Sequence, residues 1–190
     1  MTERCSWCEA SDLYRAYHDK EWGVPLHDDQ KLFEFLVLEG FQAGLSWSTI
    51  LNKREAFRDA FDKFDASKIA KYTDEKVDEL MQNVKIIRNK LKIKAAIKNA
   101  VNYLRIKNEY GSFDKYIWQF TAYQTIQNNF KKESEIPATS PESDVMSKQL
   151  KKDGFSFVGS TICYAYLQAI GAVNDHVTTC FRYTEINLNR

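Results

Sequence analysis

The sequence Glu39-Gly-Phe-Gln-Ala-Gly-Leu-Ser-Trp47 joins two predicted helices. The residues before it, 31–38, are apolar on nearly every side, which predicts a buried helix over about 29–39. Ser46 can cap a second helix that continues to about Phe61. Glu39 is therefore expected at the end of a core helix, where a free carboxylate costs free energy. The ordinary interpretation is a locally paired carboxylate followed by a core tryptophan at position 47.

Length and charge limit the possible classes of protein. A chain of 190 residues fits one domain, and a net charge of +1 gives no general argument for binding nucleic acid. No apolar run reaches membrane-spanning length, and Met1-Thr-Glu-Arg4 lacks the apolar segment of a secretion signal. We therefore expect a cytoplasmic monomer that does not contact membranes. Its four cysteines are then thiols or metal ligands rather than disulfides.

Capping residues and apolar periodicity predict helices along most of the chain, and strand patterns are nearly absent. The fold class is therefore predicted to be all-α. Residues 121–139 are polar and contain Pro137, which predicts a surface loop. The predicted helices, besides the two above, cover about 12–18 (capped by Asp12), a short turn near 65–67, 74–83, 92–110, 113–120, 141–154, 160–171 and a last turn at 174–180.

Two histidines and two cysteines have the character of a metal site. His176 and Cys180 are spaced i, i+4, which places both on one face of a helix. Together with Cys5 and His18 they form a Cys2His2 set, which suits a closed, structural zinc site. Two alternatives stay open: Cys8 could replace Cys5 or His18, or the thiols could be buried without any metal.

Such a zinc site would join the two ends of the chain. Its ligands come from an aromatic N-terminal segment, 1–27, and from a C-terminal segment, 172–190. We therefore expect these two segments to pack together around the metal within one compact domain.

A basic stretch follows the helix predicted at 74–83. No acidic residue lies between Glu79 and Glu109. Two helices joined by a short hairpin can direct backbone N–H groups and basic side chains at a phosphate of duplex DNA. The alternative is a solvated helix face. The eight basic residues of the stretch are Lys85, Arg88, Lys90, Lys92, Lys94, Lys98, Arg105 and Lys107.

Seven segments of the chain together resemble one known family over nearly its whole length. The family is that of the type I 3-methyladenine DNA glycosylases, bacterial repair enzymes of the helix-hairpin-helix superfamily. The segments are Arg4-Cys5-x-Trp7, Leu13-Tyr-x-Ala-Tyr-His-Asp19, Glu21-Trp-Gly-Val-Pro25, Leu38-Glu-Gly-x-Gln-Ala-Gly-Leu-Ser-Trp47, Ile86-Ile-Arg88, Phe157-Val-Gly-x-Thr-Ile-Cys163 and Val173-Asn-Asp-His-Val177.

The resemblance implies an enzyme that flips 3-methyladenine out of alkylated double-stranded DNA and releases it as the free base. It implies a helix-hairpin-helix glycosylase domain over 1–190 and a role for Glu39 as the catalytic carboxylate. It assigns the base pocket to Tyr14, Tyr17 and Trp47, with Trp22 and Trp7 nearby. It assigns structural zinc to Cys5, His18, His176 and Cys180, and leaves Cys8 out. DNA contact through Arg88, Lys90 and Lys92 is predicted from the basic stretch itself.

The chain departs from the superfamily pattern at two positions. Lys85 stands where hairpins of this superfamily often carry glycine, and Asn174 stands where many members have a catalytic aspartate. Type I enzymes share the second departure.

A different class of function also accounts for part of the pattern. A zinc-stabilised helical DNA-binding module without catalysis explains the hairpin and the metal ligands, but it gives no role to Glu39 among aromatic residues. A zinc hydrolase or deaminase is disfavoured, because the chain lacks the metal-binding motifs of those enzymes.

Overall fold

The computed structural model describes residues 3–188, with the side chains of 187 and 188 excepted. This part of the chain is mostly helical, which confirms the predicted all-α class. Positions 1, 2, 189 and 190, at the outer ends of the two segments predicted to meet, lie outside it. None of the helices within 3–188 combines the length and the apolar character that crossing a membrane requires.

The helices follow the predicted order closely. They are α1 (Asp12–Lys20), α2 (Asp29–Gln42), α3 (Trp47–Ala60), α4 (Ala66–Ile69), α5 (Asp74–Gln82), α6 (Lys90–Tyr110), α7 (Phe113–Trp118), α8 (Pro141–Lys152), α9 (Ser160–Ala169) and α10 (Phe181–Leu188). Short 3-10 helices cover Ser6–Ala10, Asp62–Phe64, Gln119–Thr121 and Glu133–Glu135. Two strands of two residues each are β1 (Ile126–Gln127) and β2 (Val173–Asn174).

Helix α2 lies at the centre of the molecule. Its residues 32–41 are all buried, because α3, α6, α7 and α9 pack around it. A helix that is apolar all round its circumference is stable only in such surroundings. The helix continues to Gln42, so Glu39 lies within its last turn rather than at the predicted end.

A buried lysine explains why α2 continues beyond the predicted end. Lys92, which the sequence analysis assigned to DNA contact, is buried, with 8% of its surface exposed. Its ammonium donates to the carbonyls of Phe41 at 2.8 Å and Ala43 at 2.6 Å. Carbonyls at a helix C-terminus lack partners within the helix, and a cation satisfies both their hydrogen bonds and the helix dipole.

The predicted hairpin joins α5 to α6 through residues 83–89. The Asn83 side chain accepts a hydrogen bond from the backbone N–H of Lys85, and Asn89 caps α6. Lys85 is not among the described residues with positive φ. The lysine therefore fits this turn without the conformational freedom of glycine.

Residues 126–136 form an ordered segment, which we call the strap, within the predicted surface loop. Its strand β1 pairs in parallel with β2, with Ile126 opposite Val173. The Phe130 carbonyl accepts a hydrogen bond from the N–H of Thr178 at 2.9 Å. Because 173–174 is a strand and the next helix begins at Phe181, the helical turn predicted at 174–180 is absent. Ser11, rather than Asp12, caps α1.

Candidate functional site

A cavity of about 360 Å³ opens between α1, the end of α2, the start of α3 and α9. It is lined by all six residues that the sequence analysis placed in or near a base pocket, and by five more that were not assigned. The assigned residues are Glu39, Tyr14, Tyr17, Trp22, Trp47 and Trp7, and the others are Gln42, Glu133, Ile136, Ala165 and Gln168.

Glu39 lines this cavity, and the residue is buried, with 2% of its surface exposed. Burial raises the pKa of Glu39 to about 8, because no cation is near enough to offset the loss of hydration. Its Oε2 atom has no hydrogen-bond partner within the described part of the chain. A buried carboxyl group without a partner is costly, so its retention on a cavity indicates a use for it.

Two further buried polar atoms on the cavity also lack a hydrogen-bond partner within the described residues. The Oε1 atom of Gln42 and the Nε1–H of Trp47 are buried without a partner among residues 3–188. Together with the Glu39 carboxyl, they offer one donor and several acceptors to a ligand. This combination suits a flat heteroaromatic ring that carries both N–H donors and ring acceptors.

Aromatic rings form the walls of the cavity. Trp7 packs edge-on against Tyr14 with ring centroids 4.9 Å apart and against Trp22 at 5.0 Å. Tyr17 lies 5.4 Å from Trp47. Among residues 3–188, the cavity is lined by two carboxyl groups and by no lysine or arginine. Aromatic faces and negative charge without positive charge favour a flat cationic ligand.

An ion pair fixes the two helices that carry these rings. Arg54 of α3 makes bidentate hydrogen bonds to Glu21 at 2.6 and 2.8 Å, just after α1 ends. Bidentate pairing sets orientation as well as distance. Tyr17 of α1 and Trp47 at the first residue of α3 are thereby held in contact with each other on the cavity.

The predicted metal ligands converge behind the cavity wall. Cys5, His18, His176 and Cys180 are all buried, and their ligand atoms lie within 4.8 Å of one another. The two histidine nitrogens are 3.1 Å apart, and each lies 3.5 Å from the Cys180 sulfur. Tetrahedral zinc would place ligand atoms about 3.4 to 3.8 Å apart. The donor set fits zinc, and the Cys–His distances of 3.5 and 3.7 Å fall within this range.

The surroundings of the cluster also fit a metal. His18 directs its other ring nitrogen to Asp19 at 2.8 Å, and His176 directs its own to the Trp22 carbonyl at 3.0 Å. Such partners fix the tautomer of a metal-binding histidine. Side-chain contacts with Cys5 first, and then with the two histidines, lower the pKa of Cys180, and the thiolate is the form that binds metals.

Cys8 does not belong to this cluster. Its thiol donates to the Cys5 carbonyl at 3.1 Å, outside the group of four. His176 and Cys180 meet across a turn and not on a helix face, so the predicted pairing is found although its helical basis is wrong.

Asn174, which stands where many superfamily members have a catalytic aspartate, and its neighbour Asp175 both have hydrogen-bond partners in the fold. Asn174 is fully buried and donates to Gln127 at 3.0 Å. Asp175 accepts from Asn128, Tyr164 and Gln168 at 2.6–2.7 Å. The Asp175 carboxylate is thus occupied, and it positions Gln168 on the cavity.

The basic stretch is only partly available to a ligand. Lys90 pairs with Asp78 at 3.0 Å and Lys94 pairs with Asp74 at 2.9 Å, so carboxylates of α5 neutralise this side of α6. The run without acidic residues does not reveal this pairing, because Asp74 and Asp78 lie before it, on the preceding helix. Arg88 is exposed on the hairpin itself.

The cavity residues that the sequence analysis did not assign differ in whether the sequence could have revealed them. Gln42 lies in the segment quoted first and follows Glu39 by three positions on one helix, which could have marked it. Glu133 and Ile136 lie in the strap, far along the chain in a polar stretch. Contacts of the strap with distant parts of the chain, including its pairing with β2, bring them to the cavity.

The chain is similar to known proteins over nearly its whole described length. The family model described as methyladenine glycosylase matches residues 7–183. DNA-3-methyladenine glycosylase 1 of Escherichia coli K12 is 49% identical over 181 residues, covering 95% of this chain and 97% of the relative.

Two solved structures have the same fold. The crystal structure of 3-methyladenine DNA glycosylase I superposes with a TM-score of 0.92 at 49% identity, covering 94% of this chain and 98% of the other. A structure from Staphylococcus aureus, described as the structural basis of 3-methyladenine recognition, gives 0.90 at 35% identity, covering 94% and 95%. The chain belongs to the methyladenine glycosylase family.

Proposed function

We propose that this DNA glycosylase removes 3-methyladenine from alkylated double-stranded DNA by hydrolysing the N-glycosidic bond, with the free base as product. The observation that carries the proposal is the Glu39 carboxyl, whose Oε2 atom has no partner in the described part of the chain, in an aromatic cavity that no lysine or arginine of that part lines. The relatives named for this substrate support it.

The chemistry follows from the charge of the substrate. Methylation at N3 makes the nucleotide cationic and weakens its glycosidic bond, so the base is already a good leaving group. Once flipped into the cavity, the ring meets aromatic faces and the Glu39 carboxyl. A cation beside Glu39 favours its ionised form, which offsets the effect of burial on its pKa.

Adenine itself gains less in this cavity. It carries no positive charge, so it neither attracts the aromatic faces as strongly nor favours ionisation of Glu39. In this proposal the cavity selects the damaged base by its charge. Glu39 stabilises the positive charge on the base while the base is still attached to the sugar. As the glycosidic bond breaks, its electron pair leaves with the base, which departs neutral, and a water molecule adds to the sugar carbon and gives up a proton to solvent.

A structural zinc ion is part of the proposal. Cys5, His18, His176 and Cys180 would hold it, with no ligand position left for water or substrate. The ion would supply a crosslink between the ends of the chain. The ring of Trp22 lies 4.6 Å from that of His176, and Trp7 lies 5.3 Å from His18. A metal ion that fixes the two histidines would therefore also fix the tryptophan rings that pack against them in the cavity wall.

We also propose that the hairpin at 83–89 binds a DNA phosphate. Its exposed Arg88 and Lys85 and its backbone N–H groups supply the contacts. Lys90 would contribute after giving up Asp78, whereas Lys92 is left out because its ammonium is committed to α2. We also propose that the protein is a cytoplasmic monomer.

A base-release assay tests the proposed reaction. Methylated duplex DNA is incubated with the wild-type enzyme or with Glu39→Gln, and the freed bases are separated by chromatography. The wild type should release 3-methyladenine. The variant should be slower by roughly ten- to a hundredfold in single-turnover excision, because a charged hydrogen bond in a dry site contributes about 1.5–3 kcal/mol.

Binding of undamaged duplex is the control, and it should be equal in both proteins because it depends on phosphate contacts. A wild-type protein that binds DNA but frees no base would instead support the non-catalytic DNA-binding module.

A further inference from the structure

Glu133 of the strap makes hydrogen bonds that join the strap to the cavity wall. Its Oε1 accepts from the backbone N–H of Ser6 and, at 3.4 Å, from that of Trp7, and its Oε2 accepts from the Ser6 hydroxyl at 2.9 Å. The carboxylate thus spans 126 positions of sequence to reach Trp7. It satisfies N–H groups at the start of a 3-10 helix that have no partner within that helix.

Trp7 depends on this anchor more than the other rings do. Tyr17 and Trp47 stand on α1 and α3, whose own hydrogen bonds fix their backbones. Trp7 stands on the five-residue 3-10 helix Ser6–Ala10, which has no side-chain cap from the residue before it. Yet its ring touches three other aromatic rings of the cavity, those of Tyr14, Tyr17 and Trp22.

The strap is itself firmly placed. Asn128 donates from its side chain to Asp175 at 2.7 Å and from its backbone to the Asn174 carbonyl at 3.3 Å. Phe130 is bonded to Thr178 at 2.9 Å. These contacts give Glu133 a rigid base from which to hold Trp7, and they bring Ile136 onto the same cavity.

We infer that Glu133 is a positioning residue for base recognition: by anchoring the peptides of Ser6 and Trp7, it holds the Trp7 ring in the place where it can stack against the flipped base. This inference rests on the proposed function and extends it to a residue that does not need to touch the reacting atoms.

The test compares Glu133→Ala with Glu133→Gln. Affinity for free 3-methyladenine is measured by quenching of tryptophan fluorescence, and excision is measured in single turnovers. Glu133→Ala should weaken binding of the free base about tenfold, the effect of losing a charge-assisted hydrogen bond. Glu133→Gln should stay within about twofold of wild type, because its amide oxygen still accepts both backbone N–H groups.

Glu135→Ala is the matched control. Glu135 lies on the same turn and accepts from the N–H groups of Lys131 and Lys132, away from Trp7. It should bind the free base like wild type. Zinc content and affinity for undamaged duplex should be unchanged in all three variants.

Four results would overturn the inference: wild-type affinity in Glu133→Ala, an equal loss in Glu133→Gln, an equal loss in Glu135→Ala, or loss of zinc from Glu133→Ala. The proposed function is tested separately by the wild-type enzyme. Wild-type protein that releases no 3-methyladenine overturns that function, whereas an active wild type with an unaffected Glu133→Ala overturns only the role of Glu133.

Discussion

Glu39 makes folding stability depend on pH in a way that can be measured. Its pKa is raised to about 8 in the folded protein, so the folded state binds its proton more tightly than the unfolded chain does. The stabilisation is present below the unfolded pKa, near 4.5, and is lost as pH rises through about 8. Glu39→Gln does not titrate. Relative to wild type it should therefore gain stability between pH 5 and pH 8.5, by about 1.4 kcal/mol per unit of pKa shift. Urea unfolding at the two pH values measures this gain.

Exposed Glu109 provides the comparison for that experiment. It lies on the surface near the end of α6, so Glu109→Gln should differ from wild type by the same small amount at both pH values. A Glu39→Gln difference that is also independent of pH would show that burial does not hold the proton on this carboxyl group.

At the scale of the element, the hairpin at 83–89 should provide a sequence-independent phosphate contact. The double variant Lys85→Ala, Arg88→Ala should weaken binding of every duplex alike and reduce the slope of log K against log salt by about 1 to 2. The measurement is a salt titration of binding to undamaged DNA. Lys98→Ala is the control, since Lys98 is exposed in the same acid-free run but lies two turns into α6. An unchanged slope in the double variant would place the phosphate contact elsewhere.

The elements also show what the sequence could and could not predict. Helix α2 is a local property of the sequence, and its predicted bounds are right to within three residues. The role of Lys92 depends on a carbonyl 51 positions away, which periodicity within α6 cannot reveal. The strands β1 and β2 are two residues long, too short for any alternation of polar and apolar residues. The aromatic cavity was predictable because its residues belong to distinctive motifs, whereas Glu133 belongs to none.

At the scale of the whole molecule, the cluster of Cys5, His18, His176 and Cys180 should determine both metal content and stability. We expect about one zinc per chain. Cys180→Ala should lose it and be destabilised by a few kcal/mol or more, which lowers Tm by roughly 10 °C in a chain of this size. Metal analysis and thermal unfolding measure the two effects. Cys8→Ala is the matched control: it removes a buried thiol only one residue beyond the Trp7 position and should keep its zinc. A Cys180→Ala protein with full zinc and unchanged Tm would contradict the assignment.

The contact between Cys5 and His176 joins residues 171 positions apart, and the cavity wall rests on it. During synthesis on the ribosome, Trp7 and Trp22 leave the exit tunnel well before His176, which follows Trp22 by 154 positions. The two tryptophans are therefore made long before the residue against which their side of the cavity packs. A nascent chain that stalls before position 176 would hold both rings without that partner.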